Sequence, residues 1–369
     1  MMQFFLTLLL IGFSASLSGQ DSIAVQKKYY EEACREITEM LDGKRPYSFK
    51  RAVFVTESCF LNNTLDYEKF NHKIASLAQT CTDYARANSD SFLYDYDDRE
   101  TILKHAALFR LMTDSIPLMK LGGHIVHTIP YTYDFDDFWG KENWSQMFVS
   151  KLMATHKGNC HSLPYLYKII AEEMGLAAHL ALAPHHMYIK LYAKKTGMYN
   201  TELTNAAFPV DAWLMASGYI HTNAIRSGIY MDTLSRKQSL ALCLLDLAKG
   251  YERTFGTQDS EFPGRCCATA LKHYPNFVNA LLMQAEQTKR RLDDLMLRHQ
   301  AGSLQDLLAV QEARDVFAAY EAMIRHIYTL GYRKMPEKMY GDWLLDLKEN
   351  KEKYTNKKVI NNFNTLQTR

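Results

Sequence analysis

The feature that most restricts the fold is a single change of apolar period at Gly175. Ahead of it, Leu163, Leu166, Ile169, Ile170 and Met174 recur at helical spacing, and Gly175 reads as the left-handed residue that stops the helix. Beyond it the pattern alternates. Residues 177–182 form an apolar strand, Pro184 breaks it, residues 186–192 form a second strand, Thr196-Gly197 turns the chain, and residues 198–203 form a third. A helix followed at once by two hairpin-connected strands predicts an α+β core in which the helix packs on a small antiparallel sheet. On the second strand His186, Tyr188 and Lys190 share one face while Met187, Ile189 and Leu191 take the core face; His185 points away from His186.

Lys157-Gly158-Asn159-Cys160-His161-Ser162-Leu163-Pro164 feeds that helix. Gly158 and Asn159 are turn residues, and a proline is tolerated only near a helix start. Cys160 therefore belongs in the first turn. There, unpaired N–H groups and the positive end of the helix dipole favour a thiolate. Such a thiol is a nucleophile once a base reaches it; without one, a cysteine is an ordinary small core residue.

His186 and Glu202 are the groups that could complete the site. In an antiparallel hairpin, paired residue numbers add to a constant, and an even constant places both side chains on one face. A constant of 388 sets them directly opposite, about 5 Å apart at Cβ; 390 makes them diagonal, at roughly 7 Å. An odd constant separates them. His161 follows the thiol and is a pocket-wall candidate, as is Tyr188. Residues 130–144 interleave Tyr131, Tyr133, Phe135, Phe138, Trp139 and Trp144 with Asp134, Asp136 and Asp137, a loop that plugs a core or lines a groove. The Cys160 N–H would be one oxyanion donor; Trp139, Asn143, Trp144 and Gln146 are candidates for another.

Bulk properties exclude several classes. With 369 residues, 47% hydrophobic, 23% charged and a net charge of +2, the chain suits a globular protein with real cores. It has no basic, aromatic-interleaved stripe for nucleic acid. No CxxC or HxxxH spacing suggests a metal, and neither a Gly-rich phosphate loop nor a GxSxG elbow occurs, so no cofactor is expected. Residues 1–20 read as a secretory signal: an apolar run at 4–13, too short to span a bilayer, and then small residues. The expectation is an exported chain, periplasmic or secreted, with no membrane association after cleavage. Seven cysteines in such a chain invite disulfides and leave at least one thiol free, with the isolated Cys160 the natural candidate.

The flanks are helical. Residues 21–122 carry helical stripes at 23–41, 51–61, 67–87 (capped by Asp66) and 101–121. The core spans 123–235, with a surface excursion at 216–230. Helical spacing returns in 236–348, where Ala270-Leu271-Lys272-His273-Tyr274-Pro275-Asn276 and Ala280 read as the joint of a tetratricopeptide-like helix pair. Residues 349–369 are lysine-rich and read as a flexible tail.

The three central motifs, Gly158-Asn159-Cys160-His161-Ser162, Pro184-His185-His186-Met187-Tyr188-Ile189-Lys190 and Asn200-Thr201-Glu202-Leu203-Thr204-Asn205, resemble those of the transglutaminase-like (papain-type) superfamily. The wider layout is similar to its SirB-type branch with a C-terminal tetratricopeptide-like region. The resemblance covers about residues 50–345 and is strongest over 155–235. It implies a nucleophile at Cys160, a base at His186 and an orienting acid at Glu202. Asn200, Asn205 and Asp211 are rivals for the third place, because the family more often has Asp there. It implies thiol acyl transfer on a peptide or glutamine amide, with hydrolysis favoured over cross-linking because nothing points to an amine-acceptor site. Partners would be a peptide or protein substrate and a protein bound through the C-terminal helices. Some members lack the nucleophile, so a non-catalytic scaffold is the other expectation.

Overall fold

A computed structural model describes residues 19–119 and 122–364. The stretch read as a signal lies outside them except for Gly19 and Gln20, which open the first helix. The fold is mainly helical with small sheets, an α+β arrangement. No helix among the described residues is long and apolar enough to cross a membrane.

Four helices come first: α1 (Gly19–Leu41), α2 (Phe49–Phe60), α3 (Tyr67–Ala87) and α4 (Arg99–Thr113). Ser48 and Asp66 cap α2 and α3 by accepting from the N–H groups of Arg51 and Lys69. The helix expected over 101–121 stops at Thr113. Pro117 lacks an N–H and would clash with the carbonyl four residues back, so the chain instead forms a hairpin of β1 (Pro117–Met119) and β2 (Ile125–His127).

The central layer follows. β3 (Thr132–Tyr133) runs parallel to β4 (Lys157–Gly158), with α5 (Val149–Thr155) between them in sequence. Glu57 on α2 accepts from the Val149 and Ser150 N–H groups at 2.6 and 2.9 Å and so ties the start of α5 to the N-terminal helices. α6 (Ser162–Glu173) then packs on an antiparallel sheet of β5 (His179–Ala183), β6 (His186–Ala193) and β7 (Gly197–Thr201), with α3 and α4 also against it. β6 is expected to be covered on one face, yet Tyr188 and Lys190 are as buried as Met187 and Ile189. The Lys190 ammonium reaches this depth by donating to the Met231 carbonyl at 2.9 Å.

Residues 216–230 are not the surface excursion expected. The short helices α7 (Asp211–Ser217) and α8 (Thr222–Arg226) lead through buried Ile220, Ala224, Ile229 and Tyr230. The C-terminal helices are α9 (Arg236–Phe255), α10 (Glu261–His273), α11 (Val278–Arg298), α12 (Leu304–Leu307), α13 (Gln311–Thr329), α14 (Glu337–Glu349), α15 (Lys351–Tyr354) and α16 (Lys357–Asn364). α9 packs against α10 and also against α1 and α2, so flanks and centre share one continuous hydrophobic core.

The tail reading is corrected as well. Val359 and Phe363, one helical turn apart, form an apolar stripe on α16, and Phe363 packs against Phe109 and Phe208. Only residues 365–369 of that stretch lie outside the described residues.

All seven cysteines are free thiols. Cys34 on α1 and Cys266 on α10 bring their sulfurs to 3.7 Å. A disulfide needs about 2 Å, a closure that small side-chain rotations supply. Mild oxidation with oxidised glutathione is expected to join this pair first, lowering the titratable thiols by two and raising stability by about 2–4 kcal/mol. Peptide mapping and thermal melts of wild type and Cys34→Ser check it; a first disulfide elsewhere would refute it.

Candidate active site

Asn159 organises the loop that presents Cys160. Its Oδ1 accepts from the N–H groups of His161 and Ser162 at 3.0 and 3.1 Å, and its backbone carbonyl accepts from Leu163 N–H. That is the hydrogen-bonding of a helix N-cap, which places Cys160 at the first position of the helix. Gly158 precedes it because nothing larger fits: a Cβ there would lie 2.5 Å from Ser162 Oγ and 2.8 Å from a Leu152 methyl. The Cys160 N–H, at the helix start, makes no backbone hydrogen bond among the described residues.

The strand pairs in β6 and β7 add to 390, as in Lys190 with Asn200. This is the diagonal arrangement, and it sets His186 and Glu202 on the same face. His186 Nε2 lies 2.5 Å from Glu202 Oε2, with both side chains essentially inaccessible to solvent. Glu202 Oε1 accepts from the Thr204 N–H and hydroxyl at 2.8 and 2.5 Å, so both carboxylate oxygens are satisfied. A backbone bridge from Glu202 to Ala207 closes the loop that holds it.

On its other side, His186 Nδ1 is 3.2 Å from the Tyr340 hydroxyl, which is itself 3.3 Å from Cys160 Sγ. Thiol, phenol, imidazole and carboxylate thus form one line. With the ring protonated, Nδ1–H donates to the phenol oxygen, the phenol O–H donates to sulfur, and Nε2–H donates to Glu202. Burial opposes charge on His186, but the Glu202 carboxylate and the thiol outweigh it and push its pKa up to about 10. For Cys160, burial pushes the thiol up, and hydrogen bonding and charge from His186, with the Tyr340 hydrogen bond, bring it below its ordinary value. Glu202 is also lowered, by His186 and Thr204, against the cost of burial.

His185 stands outside this line. It occupies the turn between β5 and β6 at φ 56°, where its carbonyl faces Cys160 Sγ at 3.7 Å and its Nε2 lies 3.0 Å from the Met335 carbonyl. The rivals for the third place lie elsewhere. Asn200 donates to the Pro209 carbonyl and to Asp211, Asp211 is exposed on α7, and Asn205 sits in the loop between Glu202 and Ala207.

A cleft of about 240 Å³ opens over the thiol, with Trp139, Trp144 and His161 in its walls. Asn143 and Gln146, offered as oxyanion donors, do other work. Asn143 caps the single 3₁₀ turn Trp144–Met147, and Gln146 is buried with its side-chain oxygen bound by the Lys151 ammonium. Tyr188 lies beneath His186 with the rings stacked at 6.3 Å. His161 is held at both nitrogens: Nδ1 is 3.0 Å from the Met147 carbonyl and Nε2 is 3.1 Å from each oxygen of Asp246. Two acceptors on two nitrogens call for a proton on each, so this ring is an imidazolium. Burial opposes that charge, and Asp246 more than offsets it.

Several participants have no counterpart in the sequence reading. Tyr340 and Trp343 reach the dyad from α14, with Trp343 edge-on to His186 at 4.8 Å. Tyr133 brings a buried hydroxyl toward Cys160 and Tyr340, and burial and the nearby thiol push its pKa up. Asp246, Lys249 and Asn279 form the far wall of the cleft from α9 and α11. The interleaved aromatics of 130–144 were the only signal for any of them, through Tyr133. Among the described residues, no cluster of three His, Cys, Asp or Glu side chains is placed to hold a metal ion. No family model, characterised protein or solved structure matches the chain.

Proposed function

We propose that the protein is an exported thiol enzyme of transglutaminase-like type that transfers the acyl group of a peptide or glutamine amide through Cys160. The observation that carries this reading is the environment of His186: a carboxylate on one nitrogen and, through Tyr340, the thiol on the other. Both sides favour the imidazolium, and the imidazolium favours the thiolate.

Cys160 Sγ attacks the amide carbon, forming the S–C bond, and the carbonyl oxygen takes the negative charge. The Cys160 N–H, which has no backbone acceptor among the described residues, is the donor offered to it. The His186 proton passes to the departing nitrogen as the C–N bond breaks, leaving a thioester and an amine. Water then attacks the thioester, His186 takes its proton, and acid is released as the thiol is restored. An amine in place of water gives cross-linking; hydrolysis is slightly favoured in this reading because nothing in the sequence points to an amine-acceptor site. Glu202 holds the ring in the orientation and tautomer that both halves require.

Incubation with a pool of peptides carrying glutamine and C-terminal amides tests this. Wild type is expected to release ammonia or new termini, and intact mass should show an acyl adduct on Cys160. Cys160→Ala should lose both. Unchanged turnover by Cys160→Ala would falsify the proposal and leave a protein-binding scaffold with an idle thiol pocket.

A further inference from the structure

The far wall of the cleft carries an uncompensated charge. Lys249 lines it from α9, is exposed, and has no ion-pair partner among the described residues. Asp246, three residues earlier and one turn away on the same helix face, is the only carboxylate in the lining. It does not cancel the lysine. Its oxygens are taken by the His161 imidazolium at 3.1 Å and by the Tyr165 hydroxyl at 2.8 Å.

Arg253 continues the same face one turn beyond Lys249. It also lacks an ion pair among the described residues and, though not itself in the lining, holds its guanidinium 5.4 Å from the ring centre of the lining residue Trp144. Asn279 on α11 adds a half-buried side-chain amide with no hydrogen-bond partner among the described residues. Lys141, whose ammonium lies 5.8 Å from the ring centre of the lining residue Trp139, is by contrast paired with Glu337 at 2.8 Å. At the thiol end, the Cys160 thiolate, His186 imidazolium and Glu202 carboxylate leave one net negative charge, carried on their own buried line of hydrogen bonds. Lys249 and the open Asn279 amide therefore line one wall, with Arg253 one helical turn beyond, and no unpaired carboxylate lies among the described lining residues.

We propose that this wall is a carboxylate-binding subsite, so that the preferred acyl donor is an anionic peptide whose carboxylate contacts Lys249 and Arg253 while its amide lies at Cys160. The inference rests on Cys160 being the nucleophile. A guanidinium and an ammonium next to a side-chain amide offer a carboxylate several donors, and the partly enclosed cleft preserves more of the attraction than open water does. The carboxylate comes either from an acidic side chain or from a free C-terminus.

Two alkylating agents that differ by one charge read this without a known substrate. In both, Cys160 sulfur displaces iodide from a CH₂ carbon; iodoacetate carries a carboxylate and iodoacetamide does not. Their rate ratio at Cys160, followed by peptide mapping, cancels changes in the nucleophilicity of the sulfur itself. Lys249→Gln/Arg253→Gln is expected to lower the iodoacetate-to-iodoacetamide ratio by about threefold or more at low ionic strength, with the difference shrinking in high salt as surface charges are screened. A ratio equal to that of wild type overturns the subsite.

Matched peptides then locate the carboxylate. Glutamate against glutamine within an amidated peptide, and a free C-terminus against its amide, are compared as protectants of Cys160 from iodoacetamide. At least one carboxylate form should protect better than its neutral twin, and the double variant should erase the difference. Equal protection by all twins overturns the inference. The nucleophile reading fails separately: it is lost if iodoacetamide reacts no faster at Cys160 near pH 6 than with an ordinary thiol, a result independent of the ratio.

Discussion

Replacing His186 with alanine is expected to slow alkylation of Cys160 by iodoacetamide near pH 6 by about one order of magnitude or more. An ordinary thiol is less than roughly 1% thiolate at that pH, so a thiol held as thiolate gains about two orders of magnitude in reactive form. Part of that gain is given back, because a thiolate of lower pKa is a weaker nucleophile. Without His186 the thiol also keeps the penalty of burial, the largest influence on it, with no cation left beside it except His161. That penalty pushes the pKa of the variant above the ordinary value and widens the gap. The pH profile is the sharper readout. Wild type should react at a nearly constant rate across neutrality, since the Cys160 pKa is lowered and that of His186 is raised to about 10. The variant should rise steadily with pH, as an isolated thiol does. His185→Ala is the control. Its ring packs on Trp139 and edge-on to Tyr340 and faces the Met335 carbonyl, while only its backbone carbonyl, which alanine keeps, faces the thiol, so the acid-side rate should persist. A His186 variant with the wild-type profile would remove the dyad from the account.

The central line of groups was legible because each member sits in a strong local pattern. Gly158, Asn159 and Pro164 mark a turn into a helix, so the position of Cys160 follows from three neighbours. Alternation in residues 186–192 and 198–203 restricts His186 and Glu202 to a few registers, and the observed pairing is one of them. Tyr340 had no such signal. It is an aromatic residue on an amphipathic helix 180 positions from the thiol, and only the packing of α14 over the sheet brings its hydroxyl to sulfur. The same holds for Asp246 and Lys249, which look like ordinary solvent-facing residues of a long helix until α9 is laid against the core. The errors have local causes too. A helical stripe through 101–121 concealed the veto of Pro117, and the lysines of the last twenty residues masked the spacing of Val359 and Phe363. Lysine content reports solvent exposure of one helix face and says little about the other.

Substituting Glu202 by glutamine should cost about 3–5 kcal/mol of stability, the range for breaking a buried ion pair, although the side chain keeps its size. Both carboxylate oxygens act as acceptors, one from His186 and the other from the Thr204 N–H and hydroxyl. Glutamine offers one acceptor and one donor. The Thr204 N–H is a fixed donor, so the amide oxygen must face it and the NH₂ group must face His186 Nε2. That nitrogen then has to accept, which moves the remaining ring proton to Nδ1 and leaves a neutral imidazole with nothing to take a proton from the thiol side. The thiolate is therefore lost together with stability. The pH dependence carries the sign. His186 has a raised pKa, so its share of the stabilisation is complete below about 6.5 and disappears as pH climbs through about 10. Glu202 is lowered, so its share is complete above its ordinary value and disappears as pH falls through the lower one. The gap in urea stability between wild type and Glu202→Gln should accordingly be widest near pH 5–6.5 and narrow toward both pH 10 and strong acid. A gap that stays constant across that range would mean that Glu202 supports the loop to Ala207 sterically and holds no charge on His186.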